Sequence, residues 1–492
     1  MRDLASGPPR VRGFSPLIAK ALAAAAPVTI ARDVALGPAW VVGGAIRDAA
    51  MGRRVLDSDL AVEPGTEREL AQSIAAASGG RAFRLSEEFG TWRVVAGDRA
   101  WHVDVTRLRA ADIEGDLALR DFTINAIALP IDALDDPPID PSGGLADVEA
   151  RRLRAVSDRS FADDPLRILR AARLAAVLGL EIEPGTMDLA RASAPRAAEP
   201  AGERRLAELR GLVGAPDPVR AFELLASLQA VDAVLPELEA LRGVEQGPNH
   251  HLDVHGHSIE VLRQWLVIEA DLEAYTGESA ARVGALMGAP LGDGFTRGEG
   301  MRLGALMHDI GKPHTKGGHS GFVTFRGHDS VGADMARESL VRLKASRSLS
   351  RYVEGLTRHH LHLGFMVPER PLARRRVYEY VSRCGDVAPD VTLLTAADRM
   401  SARGSGMLAS PEMIEAHLAL VLEVLPAALD WREQGPPSLP IKGDELAIEL
   451  GIGEGPELGV VIEELRAAVY AGEVAGRAQV VEHARRMLDA GQ

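Results

Sequence analysis

The feature that most constrains this chain is a change of hydrophobic period at Asp135-Asp136-Pro137-Pro138. Before it, residues 40–42, 56–62, 94–95, 101–105 and 124–129 read as strands or buried segments that take turns with helical stretches, with turns at Gly90, Gly97 and Asp98. Beyond it the helical period persists almost to the end, broken at Gly247-Pro248, in a glycine-rich patch over 288–300 and at Gly435-Pro436-Pro437. A sheet can therefore form only in the first third. The expectation is an α+β chain, with a mixed α/β head followed by largely all-α domains. At 492 residues it is too long for one core. The breakers predict a helical lead-in over 1–36, the head over 37–150, and helical domains over 151–247, 248–403 and 404–492.

Within the head, Gly43-Gly44-x-x-Arg47-Asp48 follows the buried run Trp40-Val41-Val42, and Asp57-x-Asp59 follows a turn at Arg53-Arg54. Paired glycines let backbone N–H groups approach a phosphate without a Cβ in the way. Arg47 is expected to open the next helix, where the dipole adds to its charge. If 56–62 alternates as a strand, Asp57 and Asp59 share a face, and two carboxylates so spaced suit a pair of divalent ions at a phosphoryl displacement. Asp104, in Val103-Asp104-Val105, is placed on a later strand as a third carboxylate that positions metal or helps deprotonate a hydroxyl.

Two further clusters follow, Arg120-Asp121-Phe122-Thr123-Ile124-Asn125-Ala126 and Asp163-Asp164-Pro165-Leu166-Arg167-Ile168-Leu169-Arg170-Ala171-Ala172-Arg173. The second reads as a helix start, with Arg167, Arg170 and Arg173 in one sloping stripe. Together these motifs resemble the class II tRNA nucleotidyltransferase and poly(A) polymerase family, whose head belongs to the DNA polymerase beta superfamily. The resemblance implies that Arg120, Asp121 and Asn125 bind sugar hydroxyls and phosphate, and that Asp164 and Arg167 read cytosine or adenine without a template. Arg170 and Arg173 would hold the triphosphate. The family has a second arginine where Leu119 stands here. Gly202-Glu203-Arg204-Arg205-Leu206-Ala207-Glu208-Leu209 resembles its neck helix, which supports the base-reading helix, and the stretch from Ile441 through Gly455-Pro456 resembles its carboxyl-terminal RNA-binding element.

Eleven of the fourteen histidines lie between His250 and His362. His257 before an amphipathic helix, His308-Asp309 and the distant Asp398 resemble the ligand set of the HD phosphohydrolase superfamily, with His328 and His359 or His360 as ligands for a second metal. Such ligands suit Mn, Ni, Co, Fe or Mg. The implied activity is template-independent addition of C, A or both to the 3′ end of tRNA from CTP and ATP, with Mg²⁺ at Asp57 and Asp59 and a possible phosphohydrolase as second activity. The alternatives are a CC-adding or A-adding enzyme, a poly(A) polymerase, or mainly an HD phosphohydrolase. Between Thr106 and Arg120 the chain is shorter than in full CCA-adding members, and resembles those that stop after CC.

Composition bears on partners and compartment. A formal charge of −14 opposes a uniformly basic nucleic-acid binder, but 340–376 carries nine Arg or Lys residues against two acids and is expected to track phosphates. The single cysteine, Cys384, excludes an internal disulfide and, on sequence grounds, a cysteine-based zinc site, and fits a reducing cytoplasm. No early apolar run is long enough for a signal peptide or membrane span, so a soluble, cytoplasmic protein is expected.

Overall fold

The computed structural model describes residues 15–87, 90–319 and 322–490, so most of the proline-rich start of the expected lead-in lies outside them. The chain gathers into two compact units, Met1–Pro200 with Ala215–Ala233, and Ala201–Gly214 with Val234–Gln492.

In the first unit, helices α1 (Ser15–Ala23) and α2 (Ala26–Val34) precede a mixed six-stranded sheet. Its strands are β1 (Ala39–Val42), β2 (Ser58–Val62), β3 (Arg81–Ser86), β4 (Thr91–Val95), β5 (His102–Arg107) and β6 (Ala128–Pro130), in spatial order β3-β4-β5-β2-β1-β6. β2 and β5 run parallel and the other pairs antiparallel. Register places the site: Val42 pairs with Asp59 and Asp59 pairs with Asp104. The turn after β1 therefore lies beside the carboxylates. Val41, Leu60, Val62, Val94, Val103 and Val105 are buried on the sheet, and α3 (Gly44–Ala50) and α4 (Glu67–Ala77) bury Ile46, Leu70 and Ile74.

Three local expectations are corrected. Residues 124–129 do not form one strand; a 3₁₀ turn at Thr123–Asn125 precedes β6, because the Asn125 side chain bonds back to Asp121 and curls the chain. Arg47 stands one turn inside α3 rather than opening it. The arginine-bearing helix α6 begins at Arg167, after a separate turn of helix at Ser160–Asp163, because Asp164 is extended before Pro165 and accepts from the Leu166 N–H. It ends at Gly179 in the left-handed region.

The second unit is helical apart from short two-stranded pairs. The expected neck helix, α7 (Gly202–Val213), belongs to it and packs on a later helix of the same unit, burying Leu206, Leu209 and Leu212, while α6 is packed instead by α8 (Pro218–Ser227). α9 (Val254–Ala270), α10 (Arg297–Met307), α11 (His328–Arg342), α12 (Arg347–His359), α13 (Arg374–Cys384), α14 (Ala388–Ser401) and α15 (Pro411–Gln434) follow. Polar side chains set where they start. Asp253 caps α9, Ser346 caps α12 and Ser410 caps α15, while Thr296 and Glu299 form a reciprocal box on α10. A buried ion pair, Arg297 to Asp390 at 2.7 and 2.6 Å, joins α10 to α14, and the Tyr352 hydroxyl of α12 donates to Asp390 at 2.7 Å. The last helices, α16 (Gly443–Leu450), α17 (Pro456–Ala471) and α18 (Gly476–Ala490), enclose their own core of Leu446, Val461, Leu465 and Val480. No helix among the described residues is long and apolar enough to cross a membrane.

Candidate active site and metal centre

Gly43 is the meeting point of the head motifs. It has φ +70° and ψ −124°, a conformation open in practice only to glycine. A Cβ there would lie 3.1 Å from Arg120 Nη1, 3.5 Å from the Asn125 carbonyl oxygen and 3.8 Å from Asp59 Oδ2. Residues far apart in sequence thus share one niche. The Gly43 N–H donates to the Ile127 carbonyl at 3.0 Å and so cannot serve a phosphate, which leaves Gly44, at the start of α3, to offer its N–H.

Around this niche a polar chain is already assembled. Arg47 donates to Asn125 Oδ1 at 2.6 Å and pairs with Asp48 at 2.9 Å. Asn125 donates to Asp121 Oδ1 at 3.1 Å, and Arg170 lies 3.4 Å from Asp121 Oδ2. Burial favours the neutral form of Asp121, but Arg170 and the Asn125 and Phe122 donors override it and hold the carboxyl below the usual value. Asp59 is exposed as a residue, yet desolvation by the packed surroundings of its carboxyl pushes it above the ordinary value, against the pull of Arg120.

Other carboxylates are more engaged than their spacing suggested. Asp57 precedes β2 rather than standing in it, and its Oδ1 lies 2.6 Å from His102 Nδ1 and 3.3 Å from the His102 N–H. Asp104, expected to position metal or help deprotonate a hydroxyl, stands next to Asp59 in register, and Arg93 holds both its oxygens at 2.7 Å. Arg167 donates to the carbonyls of Leu119, Arg120 and Ser160 at 2.9 to 3.2 Å, so a base would have to displace backbone partners. Arg173 lies on the same helix, half-buried.

The segment before Arg120 is folded. α5 (Ile113–Ala118) is capped by Asp112, and the buried Asp116 takes Arg109 at 2.8 Å and Arg120 at 3.1 Å. Arg93, His102 and Asp116 were all missed in sequence. Their signal was weak: an arginine alternating between apolar neighbours on a strand, a histidine opening one, and an acid one turn past a helix cap.

In the second unit the histidines converge on Asp309. His257 Nε2 lies 3.4 Å from Asp309 Oδ2 and 3.1 Å from Asp398 Oδ1; His308 Nε2 lies 3.1 Å from Asp309 Oδ2. On the other oxygen, His328 Nε2 is at 3.2 Å and His360 Nε2 at 3.7 Å. Lys312 reaches Asp309 Oδ2 and Gln246 at 2.6 Å each. The expected ligands His257, His308, Asp309, Asp398 and His328 are brought together. His359 is not: α12 ends there, and the following residue, His360, turns into the centre. The His359 ring instead faces His362 and Cys384.

Hydrogen bonding fixes the tautomers. The Nδ1 atoms of His308, His328 and His360 meet the carbonyls of Ala305, Phe325 and Thr357 at 2.6 to 2.9 Å, and a carbonyl can only accept. His257 Nδ1 meets Ser401 Oγ, whose own hydrogen goes to the Asp398 carbonyl. Each Nδ1 therefore carries the proton, and each Nε2 turns a lone pair inward. His328 and His360 face each other Nε2 to Nε2 at 3.3 Å, and His257 Nε2 and His308 Nε2 are buried without a hydrogen-bond partner. Acceptors converging on one point are satisfied by a cation. Burial pushes His360 down to about 3, keeping it neutral and ready to ligate. Burial works against an ionised Asp309, but the Lys312 ammonium at 2.6 Å helps hold its carboxyl well below the usual value.

Comparison with known proteins covers both regions. Residues 39–154 match the family described as poly A polymerase head domain, 179–241 match the probable RNA and SrmB-binding site of polymerase A, and 254–403 match the HD domain. The chain is 36% identical over 444 residues to the A-adding tRNA nucleotidyltransferase of Deinococcus radiodurans, covering 89% of this chain and 92% of that protein. It is 33% identical to the CC-adding tRNA nucleotidyltransferase of Thermus thermophilus, covering 92% and 93%. Among solved structures, the Thermotoga maritima CCA-adding enzyme complexed with tRNA superposes with a TM-score of 0.56 at 21% identity over 96% of this chain and 98% of that one. A complex of a CCA-adding enzyme with CTP gives a TM-score of 0.60 at 20% identity over 97% and 99%. These last two likenesses concern the fold.

Proposed function

Because this chain belongs to the class II tRNA nucleotidyltransferase and poly(A) polymerase family, we propose that it builds the CCA end of tRNA, adding nucleotides from CTP or ATP to the 3′ terminus. The observation that carries the site assignment is the niche at Gly43, where Arg120, Asn125 and Asp59 come within 4 Å of one point. In the reaction the terminal 3′-hydroxyl attacks the α-phosphorus, the new P–O bond forms as the bond to the β-phosphate breaks, and pyrophosphate leaves while the hydroxyl loses its proton.

Asp57 and Asp59, all-oxygen donors suited to a hard cation, would hold Mg²⁺, which would supply charge stabilisation for the attacking and leaving oxygens. Asp104, held by Arg93, places further negative charge beside them. Arg47 and Gly44 face the triphosphate, with Arg170 and Arg173 behind, while Arg120, Asp121 and Asn125 read the ribose. Asp164 and Arg167 read the base once Arg167 leaves its carbonyls, an exchange of backbone for base acceptors at similar geometry.

The product follows from the stretch before Arg120. Full CCA-adding members of the family use a flexible segment there to switch from C to A, and here Asp116 pins α5 to Arg109 and Arg120. We read this as an enzyme that stops after two cytidines. Addition of A alone is the second reading, favoured by the name of the Deinococcus relative. Incubation with tRNAs ending before CCA or after CC, with CTP and ATP supplied separately, separates them: C on the first tRNA and nothing from ATP on the second supports the first reading. A on the second tRNA alone supports the other. Incorporation on neither contradicts both.

The Asp309 centre supports a metal-dependent phosphohydrolase as a second activity. Its mixed imidazole and carboxylate donors suit Mn²⁺, Co²⁺ or Ni²⁺, which would polarise a phosphoester and supply an activated water. Phosphatase or cyclic phosphodiesterase turnover with such an ion, abolished in Asp309→Ala while nucleotide addition persists, is the expected outcome; no turnover with any of the three ions contradicts it.

A further inference from the structure

We propose that His359, His362 and Cys384 bind a divalent transition metal of the zinc or cobalt type, at a site whose ligands are distinct from those around Asp309. One ligand atom from each residue lies within 4.8 Å of the other two. The two imidazoles face each other Nδ1 to Nδ1 at 3.3 Å. That is the edge of a tetrahedron: two nitrogens bound at about 2.0–2.1 Å to one tetrahedral zinc are separated by about 3.3–3.4 Å. A thiolate as third donor, with water in the fourth place, completes a set that favours zinc or cobalt over magnesium or calcium.

The ligands come from two places in the fold: one turn that carries both histidines, closed by the His362 N–H on the His359 carbonyl at 3.0 Å, and the end of α13. His359 is the last residue of α12, His362 lies in the turn before the 3₁₀ segment Leu363–Glu369, and Cys384 is the last residue of α13, followed by Gly385 at φ +56°. Cys384 is 4% exposed, whereas both histidines are half-buried, so an ion enters from the imidazole side and meets the sulfur within the protein. Burial pushes the Cys384 thiol up to about 12, so the sulfur keeps its proton until an ion displaces it to solvent.

Charges around the pair act in both directions. Asp329 acts attractively on both rings, while Arg358 and Arg383 oppose it. Arg358 is already paired with Asp334 and Glu354 at 3.1 Å each. Such a site runs against the sequence expectation of no cysteine-based zinc site, because the fold would supply two imidazoles beside the single thiol. A filled site would clasp the end of α12 to the end of α13, and so fix the turn that presents His360 to Asp309.

Because Cys384 is the only cysteine, a thiolate-to-cobalt charge-transfer band reports this site alone, whereas the visible bands can also arise at Asp309. Metal-stripped full-length protein is titrated with Co²⁺ and followed for thiolate-to-cobalt charge-transfer absorption in the near ultraviolet and for the strong visible bands of four-coordinate cobalt. The expected result is a saturable charge-transfer band that persists in Asp309→Ala, disappears in Cys384→Ser, and needs at least about tenfold more Co²⁺ in His362→Gln. Absence of the band in the wild-type protein overturns the proposal. So does a band unchanged in a folded His359→Gln/His362→Gln double variant.

Discussion

Gly43 carries more of the head site than any other single residue, because its backbone conformation and its missing Cβ are both required. Alanine there would face the left-handed region and the Arg120 guanidinium together. Gly43→Ala is expected to cost about 1–3 kcal/mol of stability and to lower nucleotide addition on the order of tenfold or more by displacing Arg120 from the ribose. Urea unfolding and initial rates at saturating tRNA check both; an unchanged rate would detach Gly43 from the site. The glycine pair, Asp59 and the Arg120-Asp121 cluster were legible in sequence because each is a dense local motif. Arg93 and Asp116 were not, since what they do depends on a partner eleven or seven residues away whose side of the sheet or loop only the fold determines. His359 and His360 could not be separated either. Neighbouring residues on a helix point about 100° apart, and the phase is lost where the helix stops.

Among elements, the α14–α15 pair contains a test of burial against charge. His417 of α15 is 1% exposed, its Nε2 meets Thr395 Oγ1 at 3.0 Å, and its Nδ1 has no partner. Burial pushes it down to about 4. The unfolded chain, with a histidine near 6.5, binds the proton first as pH falls, so this group's contribution is present above about 6.5 and is lost towards pH 4. Between pH 7.5 and pH 5 the loss is about 2 kcal/mol. His417→Gln, which keeps a donor for Thr395, is expected to lose correspondingly less stability over that range in urea titrations; parallel curves would contradict it. The helices themselves were legible from period and caps. Their starts were less so: α6 begins at Arg167 because Asp164 and Pro165 spend the expected first turn outside the helix.

For the whole molecule, the two-part reading of the sequence rests on the break at Asp135–Pro138, and the sheet is confined to the residues before it apart from short pairs. The basic run over 340–376 reads differently in three dimensions. Five of its nine cations, Arg342, Arg358, Arg370, Arg375 and Arg376, pair with glutamates or aspartates of the second unit, so less of its positive charge is free for phosphates than the count suggests. A charge count could show only part of this: Glu354 and Glu369 lie within the run, but Glu237, Glu423, Glu464 and Glu473 come from distant segments. The family and the head geometry make nucleotide addition the central claim, with the histidine centre proposed as a second, separate site. Its most direct test is transfer of label from α-³²P CTP to a tRNA lacking its CCA end, by wild-type protein and by Asp59→Asn, with Mg²⁺ present. The account predicts label at the 3′ terminus with matching pyrophosphate release, and a fall of at least about 10²-fold in the variant. Incorporation by Asp59→Asn within a few-fold of wild type would contradict it, as would a wild-type protein that transfers no nucleotide.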